Sequence, residues 1–468
     1  MRTVVALAVV VATCAFAYAE DTDPPPPADE PILAPATKPP PKIIVAPTLQ
    51  KPIVGFRIRG DTKTSDRIAP YLARVSLGDM ISSANIPELE QAFISSELFK
   101  SAKVTLENAP GGYLVVATVV DKHSWIIAPT VFALPGKKSF GFGFAENNLF
   151  GMNQKLLLYA QYGDRDSLFF GTYLVPQLRG TPLTLRFDLY AFQRVIQEYD
   201  NPTDDARDAT VLRESTGEYL GTGLLLGWRL AWWLNADLRL RGGRVRFSNA
   251  FDPADPETPV PLPEHDGWDV SIQGRITLDA RSYRFGVSWG PYLQLIGDTT
   301  IPGLDDYDYS MVLARAYYSW RLFSEHQLEL RATGGLGRAL PFHNDMTLGS
   351  VVDLRGYATD RFRGDTRGMF RTEYSVPIAK WRFFAFRAIA FWDTGYVGFH
   401  RRRDDDRYGE RAFLPNQRNG VGYWRNDVGG GIRVYVKAIV LPLLGLDIGY
   451  GIEARTPEVY FQLGLTDF

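Results

Sequence analysis

Cysteine is nearly absent from this chain, because Cys14 is the only one among 468 residues. Arg2, the apolar run of residues 4–16 and the small residues around Tyr18 give the first 19 residues the pattern of an export signal. Cleavage after Ala19 would leave an exported chain without cysteine. Disulfide bonds are then excluded as a source of stability, so a core, a membrane or a partner has to supply it.

A lipoprotein signal is the alternative interpretation of the same segment, with Cys14 as its acceptor. Thr13 precedes this cysteine, at a position where such signals carry glycine, alanine or serine. The ordinary signal, residues 1–19, is therefore favoured.

Long apolar runs and an excess of basic residues are also missing. After the signal, no uninterrupted apolar run reaches the roughly 18 residues that a spanning helix needs. The closest stretch, residues 436–449, is interrupted by Lys437, Pro442 and Asp447. The net charge of -2 gives no indication of nucleic acid as a partner. If the chain crosses a bilayer, it must do so as a closed β-barrel, the other structure that satisfies its own backbone hydrogen bonds.

What is present divides the rest of the chain into three parts. Residues 20–52 are rich in proline and lack aromatics, which predicts an extended periplasmic linker, with a proline-rich ligand for a binding domain as the alternative. Residues 53–122 change periodicity twice and predict the order strand, helix, helix, strand, strand. The first helix is expected from Ile68 to Gly78. Residues 123–468 are expected to form the barrel.

The barrel prediction depends on residues that alternate with a period of two. Leu183, Leu185 and Phe187 alternate with Thr184, Arg186 and Asp188. Bulky charged residues on one face suit a wet lumen, while the apolar face suits lipid. About sixteen such segments are present. Their ends carry the aromatic residues expected of interfacial girdles: Trp228, Trp232, Trp233, Tyr317, Tyr318 and Trp320. The long polar inserts at residues 198–214, 248–267, 340–367 and 398–425 are expected to be outer loops.

Three local motifs lie within the predicted barrel. They are the stretch Asn148, Leu149, Phe150 and Gly151 before a new strand, the triplet Arg355, Gly356 and Tyr357 in a long insert, and the segment from Phe391 to Gly395 with Asp393 at its centre. In this order they resemble the opening turn, the tip of the sixth outer loop and a following strand of the BamA/TamA outer-membrane assembly superfamily. The small domain before the barrel resembles a POTRA domain, with an unrelated α+β domain as the alternative.

The resemblance implies that the loop tip folds back into the lumen. Successive residues of a strand point to opposite faces of the wall. Counting from the apolar residues that face lipid therefore places Glu373 and Asp393 on the inner face. A guanidinium from Arg355 could then bridge both carboxylates and hold the loop inside the barrel. Three ordinary solvated charges are the alternative. At the end of the chain, Gly464 and Phe468 resemble the family's terminal strand signal, with a fit that departs by about one residue.

By resemblance, the expected function is to insert or translocate other polypeptides in a bacterial outer membrane. A two-partner secretion transporter is the runner-up, and a passive porin is less favoured. The expected partners are outer-membrane lipid and lipopolysaccharide, unfolded outer-membrane or secreted polypeptide clients, and periplasmic accessory proteins. No cofactor and no metal are expected. The chain lacks G-x-S-x-G and H-E-x-x-H patterns and its five histidines are scattered, which argues against an enzyme.

Overall fold

The computed structural model describes residues 50–178, 181–199, 210–284, 287–323, 325–381, 384–399, 411–414, 422–436 and 442–463. The predicted export signal, nearly all of the proline-rich segment and the chain end from Gly464 to Phe468 lie outside these residues. In the described part of the chain, no helix is long and apolar enough to cross a membrane.

A small mixed α/β domain comes first in the described chain. Its elements are β1 (Lys51–Asp61), α1 (Ala69–Ala73), β2 (Met80–Ile81), α2 (Ile86–Ser95), β3 (Phe99–Ala109) and β4 (Gly112–Asp121). The sheet has the order β2-β1-β4-β3, with β1 parallel to β4 and the other pairs antiparallel. The predicted order of strands and helices is confirmed, with the two-residue β2 added.

The first helix is shorter than the sequence predicts. It ends at Ala73 because Arg74 adopts a left-handed conformation with φ of 59°. Both helices cover one face of the sheet, and their apolar residues pack with those of the strands. This core includes Ile53, Leu72, Phe93 and Phe99, each at most 2% exposed.

A closed antiparallel β-barrel follows, and it confirms the predicted fold class. Sixteen strands of the described chain form its wall, in sequence order around the circle. They are β5 (Trp125–Leu134), β6 (Lys137–Leu149), β7 (Gln154–Gly163), β8 (Asp166–Val175), β9 (Leu183–Tyr199), β10 (Val211–Ala231), β11 (Leu234–Asp252), β13 (Gly267–Asp279), β15 (Val287–Thr300), β16 (Ser310–Leu322), β17 (His326–Arg338), β20 (Thr366–Trp381), β21 (Phe384–Gly398), β22 (Tyr423–Val436), β23 (Pro442–Gly451) and β24 (Thr456–Leu463).

Four short strands lie at the rims of the barrel or in its loops. They are β12 (Asp255–Pro259), β14 (Ser282–Arg284), β18 (Met346–Leu348) and β19 (Phe362–Gly364). The last two pair with each other as a separate hairpin.

The two faces of the barrel wall differ as the alternation predicts. Phe187, Leu224 and Leu238 are about half exposed on the outer face. The charged residues Arg186, Asp188 and Arg239 lie on the inner face, where they pair with one another. The girdle prediction is wrong for Tyr317. It faces the lumen and stacks on Tyr292 with ring centroids 4.9 Å apart, because the parity of β16 places residue 317 inside.

The connections at the two ends of the barrel differ in length. Those at the end that carries the small domain, here the domain end, are short. The long connections lie at the opposite, far end, near the inserts that the sequence indicates. The loop of residues 301–309 adds a further far-end connection that the sequence analysis did not single out.

Candidate functional site: a loop latched inside the barrel

The connection between β17 and β20, residues 339–365 and here called loop 6, folds into the lumen. Its β18–β19 hairpin and its apolar side chains fill the far half of the barrel. Leu340, Phe342, Leu348, Leu354 and Phe362 of loop 6 pack against residues of the wall. Those wall residues include Tyr219, Val245, Phe247, Met369 and Val397. A buried core therefore holds the loop in place along its length.

Arg355 lies at the inner tip of loop 6 and is 0% exposed. Its Nε and Nη2 donate to the two carboxylate oxygens of Asp393, at 2.8 and 3.1 Å. Its Nη1 donates to Glu373 Oε2 at 2.8 Å. The guanidinium also lies over the ring of Phe391, 3.3 Å from its centroid. The structure thus brings Arg355, Glu373 and Asp393 together, in the paired geometry that a planar guanidinium favours.

Further charges surround this contact. Asp447 of β23 lies 3.8 Å from Arg355 Nη1, and Arg433 of β22 donates to Asp447 at 2.7 Å. Arg371 of β20 lies 3.5 Å from Asp393. Asp427, which is opposite Asp393 in the ladder, accepts a hydrogen bond from the backbone N–H of Gly356 at 2.9 Å. Glu373, Asp393 and Asp447 each lie within ion-pair distance of at least one arginine, whereas Asp427 is held by the backbone N–H of Gly356.

The backbone of the tip comes very close to β23. A Cβ placed on Gly449 would lie 2.2 Å from the carbonyl oxygen of Arg355, and one on Gly356 would lie 2.4 Å from the N–H nitrogen of Gly451. Only residues without a side chain fit at this contact. The glycine of the R-G-Y motif and the glycines of β23 therefore set the depth at which Arg355 sits.

A second set of hydrogen bonds shapes the turn before Arg355. The Asp353 carboxylate accepts from the N–H groups of Gly349 and Leu354, at 3.0 and 2.7 Å, and pairs with Arg367 at 3.1 Å. Arg371 donates to the carbonyl oxygens of residues 351 and 352. The turn is thus fixed before the guanidinium reaches its partners.

Loop 6 also contacts the strands on both sides of the junction where the barrel closes. This junction, the seam, is the pairing of β24 with β5. On the β24 side, the Tyr460 hydroxyl donates to the carbonyl oxygen of Tyr357. On the β5 side, Asp360 pairs with Arg194 of β9 at 3.3 Å. Arg194 lies 3.9 Å from Asp166, which pairs with Lys137 at the start of β6. The loop therefore spans the seam from within.

Buried arginines join the described parts of the loops at the far mouth of the barrel. Arg411 donates to both carboxylate oxygens of Asp345, at 2.7 and 2.6 Å, and to the carbonyl oxygen of Leu340. Arg213 pairs with Glu198 and donates to the carbonyl oxygens of residues 261 and 412. These buried arginines join loop 6 to the neighbouring far-end connections.

The predicted turn at residues 148–151 lies between β6 and β7, so two barrel strands precede it. It contacts the small domain. Asn148 Nδ2 donates to Thr64 Oγ1 at 2.9 Å, and the N–H of Ser65 donates to the Gly151 carbonyl oxygen at 2.9 Å. Gly151 has φ of +66°, and a Cβ there would lie 1.9 Å from the Lys63 carbonyl oxygen. The turn is thus the place where the barrel and the domain meet.

A second contact joins helix α1 to the barrel. Arg229 of β10 lies over the ring of Tyr71 at 3.9 Å, and Arg74 lies over Trp232 at 5.1 Å. Burial raises the pKa of the Tyr71 hydroxyl, while the neighbouring Arg229 acts in the opposite direction. The small domain is therefore fixed at two separate points on the rim of the barrel.

The sequence analysis did not assign Asp427, Asp447, Arg371 or Phe391 to this site. A signal was available for all four. They have the same parity as Asp393 on β20 to β23, so that counting along these strands places each of them in the lumen. The contact of Asp360 with Arg194 had no such signal, because 166 residues separate the partners.

These features define a class of protein: a sixteen-strand barrel, within the described residues, that holds one of its own far-end loops in the lumen and carries a small α/β domain at the other end. The sequence model of the Omp85 superfamily domain matches residues 148–466. The chain belongs to the Omp85 superfamily. It therefore lies in the outer membrane, in a family of protein-transport and insertion barrels that are not enzymes. The domain end is the periplasmic end.

Solved structures with the same fold include two kinds of barrel. BamA from Haemophilus ducreyi, lacking POTRA domains 1-3, matches with a TM-score of 0.58 and 14% identity, over 88% of this chain and 84% of that one. CdiB from Escherichia coli matches with a TM-score of 0.60 and 12% identity, over 88% and 76%. CdiB from Acinetobacter baumannii matches with 0.56 and 15%, over 89% and 74%. A search of the curated proteins gives no match.

Proposed function

We propose that this protein inserts client polypeptides into the outer membrane, with the POTRA-like domain as the receiving site and the seam as the place where a client strand adds. The observation that carries the proposal is the short connection between these two parts. Residues 122–124 alone separate β4 of the domain from β5, the strand that closes the barrel. Three residues span about 10 Å at most. A client bound to the domain is thereby held beside the seam.

The domain offers a strand edge suited to this role. β3 is an edge strand of eleven residues, long enough to pair with an extended polypeptide. One of its outward N–H groups, that of Val104, is already occupied by the Glu90 carboxylate at 2.9 Å. A side chain that covers part of an edge is a common protection against unwanted pairing. The other backbone N–H and C=O groups of β3 that point away from β4 belong to residues an even number of positions from Val104 along the strand.

The seam is suited to strand addition as well. Phe461 is opposite Ala133, so β5 ends one residue further along, at Leu134. Residues 456–459 of β24 therefore extend beyond β5 and have an edge without a ladder partner on that side. Pro457 lies in this part, as expected for an edge strand.

The experiment uses the full chain in liposomes with an unfolded outer-membrane barrel as client, and measures the fraction of client that becomes protease-protected and heat-modifiable. Ala102→Pro removes an outward N–H from the edge of β3 without removing a bond to β4. Ala102→Val changes the side chain and keeps the N–H. We expect assembly to fall in the proline variant and to continue in the valine variant.

A deletion of residues 53–122 provides the second arm. The barrel should still insert, and client assembly should be lost. If the deleted protein assembles clients as well as the full chain does, the domain is not the receiving site. If the full chain instead moves a soluble exoprotein into the liposome interior and assembles no barrel, the two-partner secretion role replaces the proposal.

A further inference from the structure

The inner wall of the barrel carries an excess of positive charge on one side. In the periplasmic half and the middle of β9 to β17, the described residues that face the lumen or its rim include eight arginines and five carboxylates, a difference of three. The arginines are Arg186, Arg229, Arg239, Arg275, Arg281, Arg315, Arg321 and Arg331, and the carboxylates are Asp188, Asp237, Asp279, Glu325 and Glu329. We call this side the basic wall.

The basic wall includes exposed side chains. Arg315 and Arg321 are exposed, and Arg331 is 38% exposed in its side chain. Among the described residues, no carboxylate lies within ion-pair distance of Arg315. Loop 6 fills the far half of the lumen, so this surface opens toward the periplasm.

Two stacked tyrosines lie within the basic wall. Tyr292 and Tyr317, on neighbouring strands, have ring centroids 4.9 Å apart. Arg281 lies over Tyr292 at 4.6 Å, and Arg331 lies over Tyr317 at 5.4 Å. This row presents cations and flat apolar rings side by side. Its guanidinium groups suit carboxylates, and its rings suit apolar or aromatic side chains.

The opposite wall carries fewer charges, and Lys155 is the inward cation of its periplasmic half among the described residues. β6 and β16 are eight strands apart around the sixteen described strands, so they face each other across the lumen. The strands around β6 turn the half-buried side chains of Ile126, Leu157, Phe170 and Leu174 inward. The cluster around Arg355 on β20 to β23 sets Arg371 and Arg433 beside four carboxylates, so it does not extend the positive charge of the basic wall. The lumen therefore has one apolar side and one basic side.

From this arrangement we propose that the periplasmic half of the lumen is a binding surface for extended polypeptide segments that alternate acidic and apolar residues. Such a strand turns its carboxylates toward the basic wall and its apolar side chains toward β5 to β8. A segment rich in lysine meets like charges at close range and is disfavoured. The inference rests on the proposed function, since it names the class of client segment that the barrel receives.

The test measures binding of three labelled ten-residue peptides to the full protein in nanodiscs, by fluorescence anisotropy. The peptides alternate valine with glutamate, with lysine or with glutamine. We expect the glutamate peptide to bind most tightly and its affinity to fall as salt increases, because exposed charges are screened over about 10 Å at 0.1 M salt and about 3 Å at 1 M. Equal affinity for all three peptides would overturn the inference.

A matched pair of double variants tests the location. Arg315→Gln with Arg331→Gln removes two charges from the basic wall, and Arg244→Gln with Arg246→Gln removes two from the outer face of β11. An exposed ion pair contributes a factor of about 1.5 to 5 to an equilibrium constant. The first variant should therefore bind the glutamate peptide about two- to twentyfold more weakly, and the second should bind like the wild type. Unchanged binding by the first variant contradicts the proposal. Heat-modifiable mobility of both variants confirms that their barrels are intact.

Crosslinking gives a readout that does not depend on affinity. In a chain with Cys14→Ser, the variant Thr277→Cys places a thiol toward the lumen, and Ile276→Cys places one outward on the same strand. A photoreactive label on the first, but not on the second, should capture the glutamate peptide. Equal capture at both positions would overturn the inference about the lumen and leave the proposed function standing. Loss of client assembly in liposomes, with the peptide preference intact, overturns the proposed function alone.

Discussion

At the scale of single residues, the site depends on Arg355 and the carboxylates that receive it. The arginine is fully buried, so its charge is tolerable only because Asp393 and Glu373 accept its hydrogen bonds and Phe391 covers its face. Each carboxylate, in turn, depends on the arginine. These residues should therefore behave as one unit in mutagenesis.

The first prediction concerns this unit. Arg355→Ala should destabilise the latched loop by about 3–5 kcal/mol, the range for removing one partner of a buried pair. Arg355→Lys should rescue only partly, because an ammonium on a flexible stem cannot bridge two carboxylates as a planar guanidinium does. The measurement is the temperature at which the unboiled protein loses its folded mobility, together with client assembly.

The double variant Glu373→Gln with Asp393→Asn completes the cycle. Its defect should resemble that of Arg355→Ala, with little further loss when all three changes are combined. Strictly additive losses would show that these residues do not act together in the membrane.

The second prediction concerns the close contact between loop 6 and β23. Gly449→Ala places a Cβ 2.2 Å from the Arg355 carbonyl oxygen, so the tip must withdraw and the guanidinium must lose its optimal position. Gly368→Ala, on β20, is the matched control, because a Cβ there meets no atom within 4 Å. We expect lowered thermal stability and client assembly in the first variant only. Equal behaviour of the two variants would mean that the tip does not press on β23.

At the scale of elements, loop 6 links the strands on the two sides of the seam. Its tip is held by β20 to β24, and its return segment is held by Arg194 on β9 through Asp360. A strand added at the seam would separate these two anchoring sides. The strength of the Asp360 contact should therefore influence how readily the loop leaves the lumen.

The third prediction tests this anchor. Arg194 is 43% exposed and Asp360 is 21% exposed in their side chains, so the pair should contribute no more than about 1 kcal/mol. Asp360→Asn should increase cleavage of loop 6 after Arg361 and Arg363 by trypsin, while the barrel itself stays intact. Asp308→Asn, in an exposed far-end loop, is the control and should leave the cleavage rate unchanged. If the two variants are cleaved at the same rate, Asp360 does not anchor the loop.

At the scale of the whole molecule, the barrel closes on itself and satisfies its backbone groups within the wall, which is what a bilayer requires. Its small domain is fixed at two points on the periplasmic rim, at Thr64 and at Tyr71. At the far end, the described parts of the loops are joined through Arg411 and Arg213. Loop 6 packs against the wall in the far half of the lumen.

The fourth prediction follows from the closed wall. The mature protein should fractionate with outer membranes, and it should migrate differently on gels before and after boiling, because unboiled detergent leaves the hydrogen-bonded wall intact. Arg411→Gln should retain this heat-modifiable mobility, since the loops lie outside the ladder of the wall. Recovery of the wild type in the soluble periplasmic fraction is the result that would contradict the barrel in the cell.

The sequence by itself determined the class of fold and the parity of the strands. Alternation with a period of two fixes which side chains face inward, since successive residues of a strand point to opposite faces. For this reason the sequence alone places Glu373 and Asp393 in the lumen. The order of elements in the small domain could be predicted for the same reason, because each element has its own local periodicity.

Only the tertiary structure decided which inward residues meet. The register of neighbouring strands places Asp427 opposite Asp393, and closure of the barrel brings Arg194 to Asp360 over 166 residues of sequence. Local pattern contains no information on such contacts, because they depend on how many strands the wall has and how far each is shifted against the next. The division of the lumen into a basic and an apolar side has the same origin: the strands that face each other are eight apart around the described wall, and only closure makes them opposite.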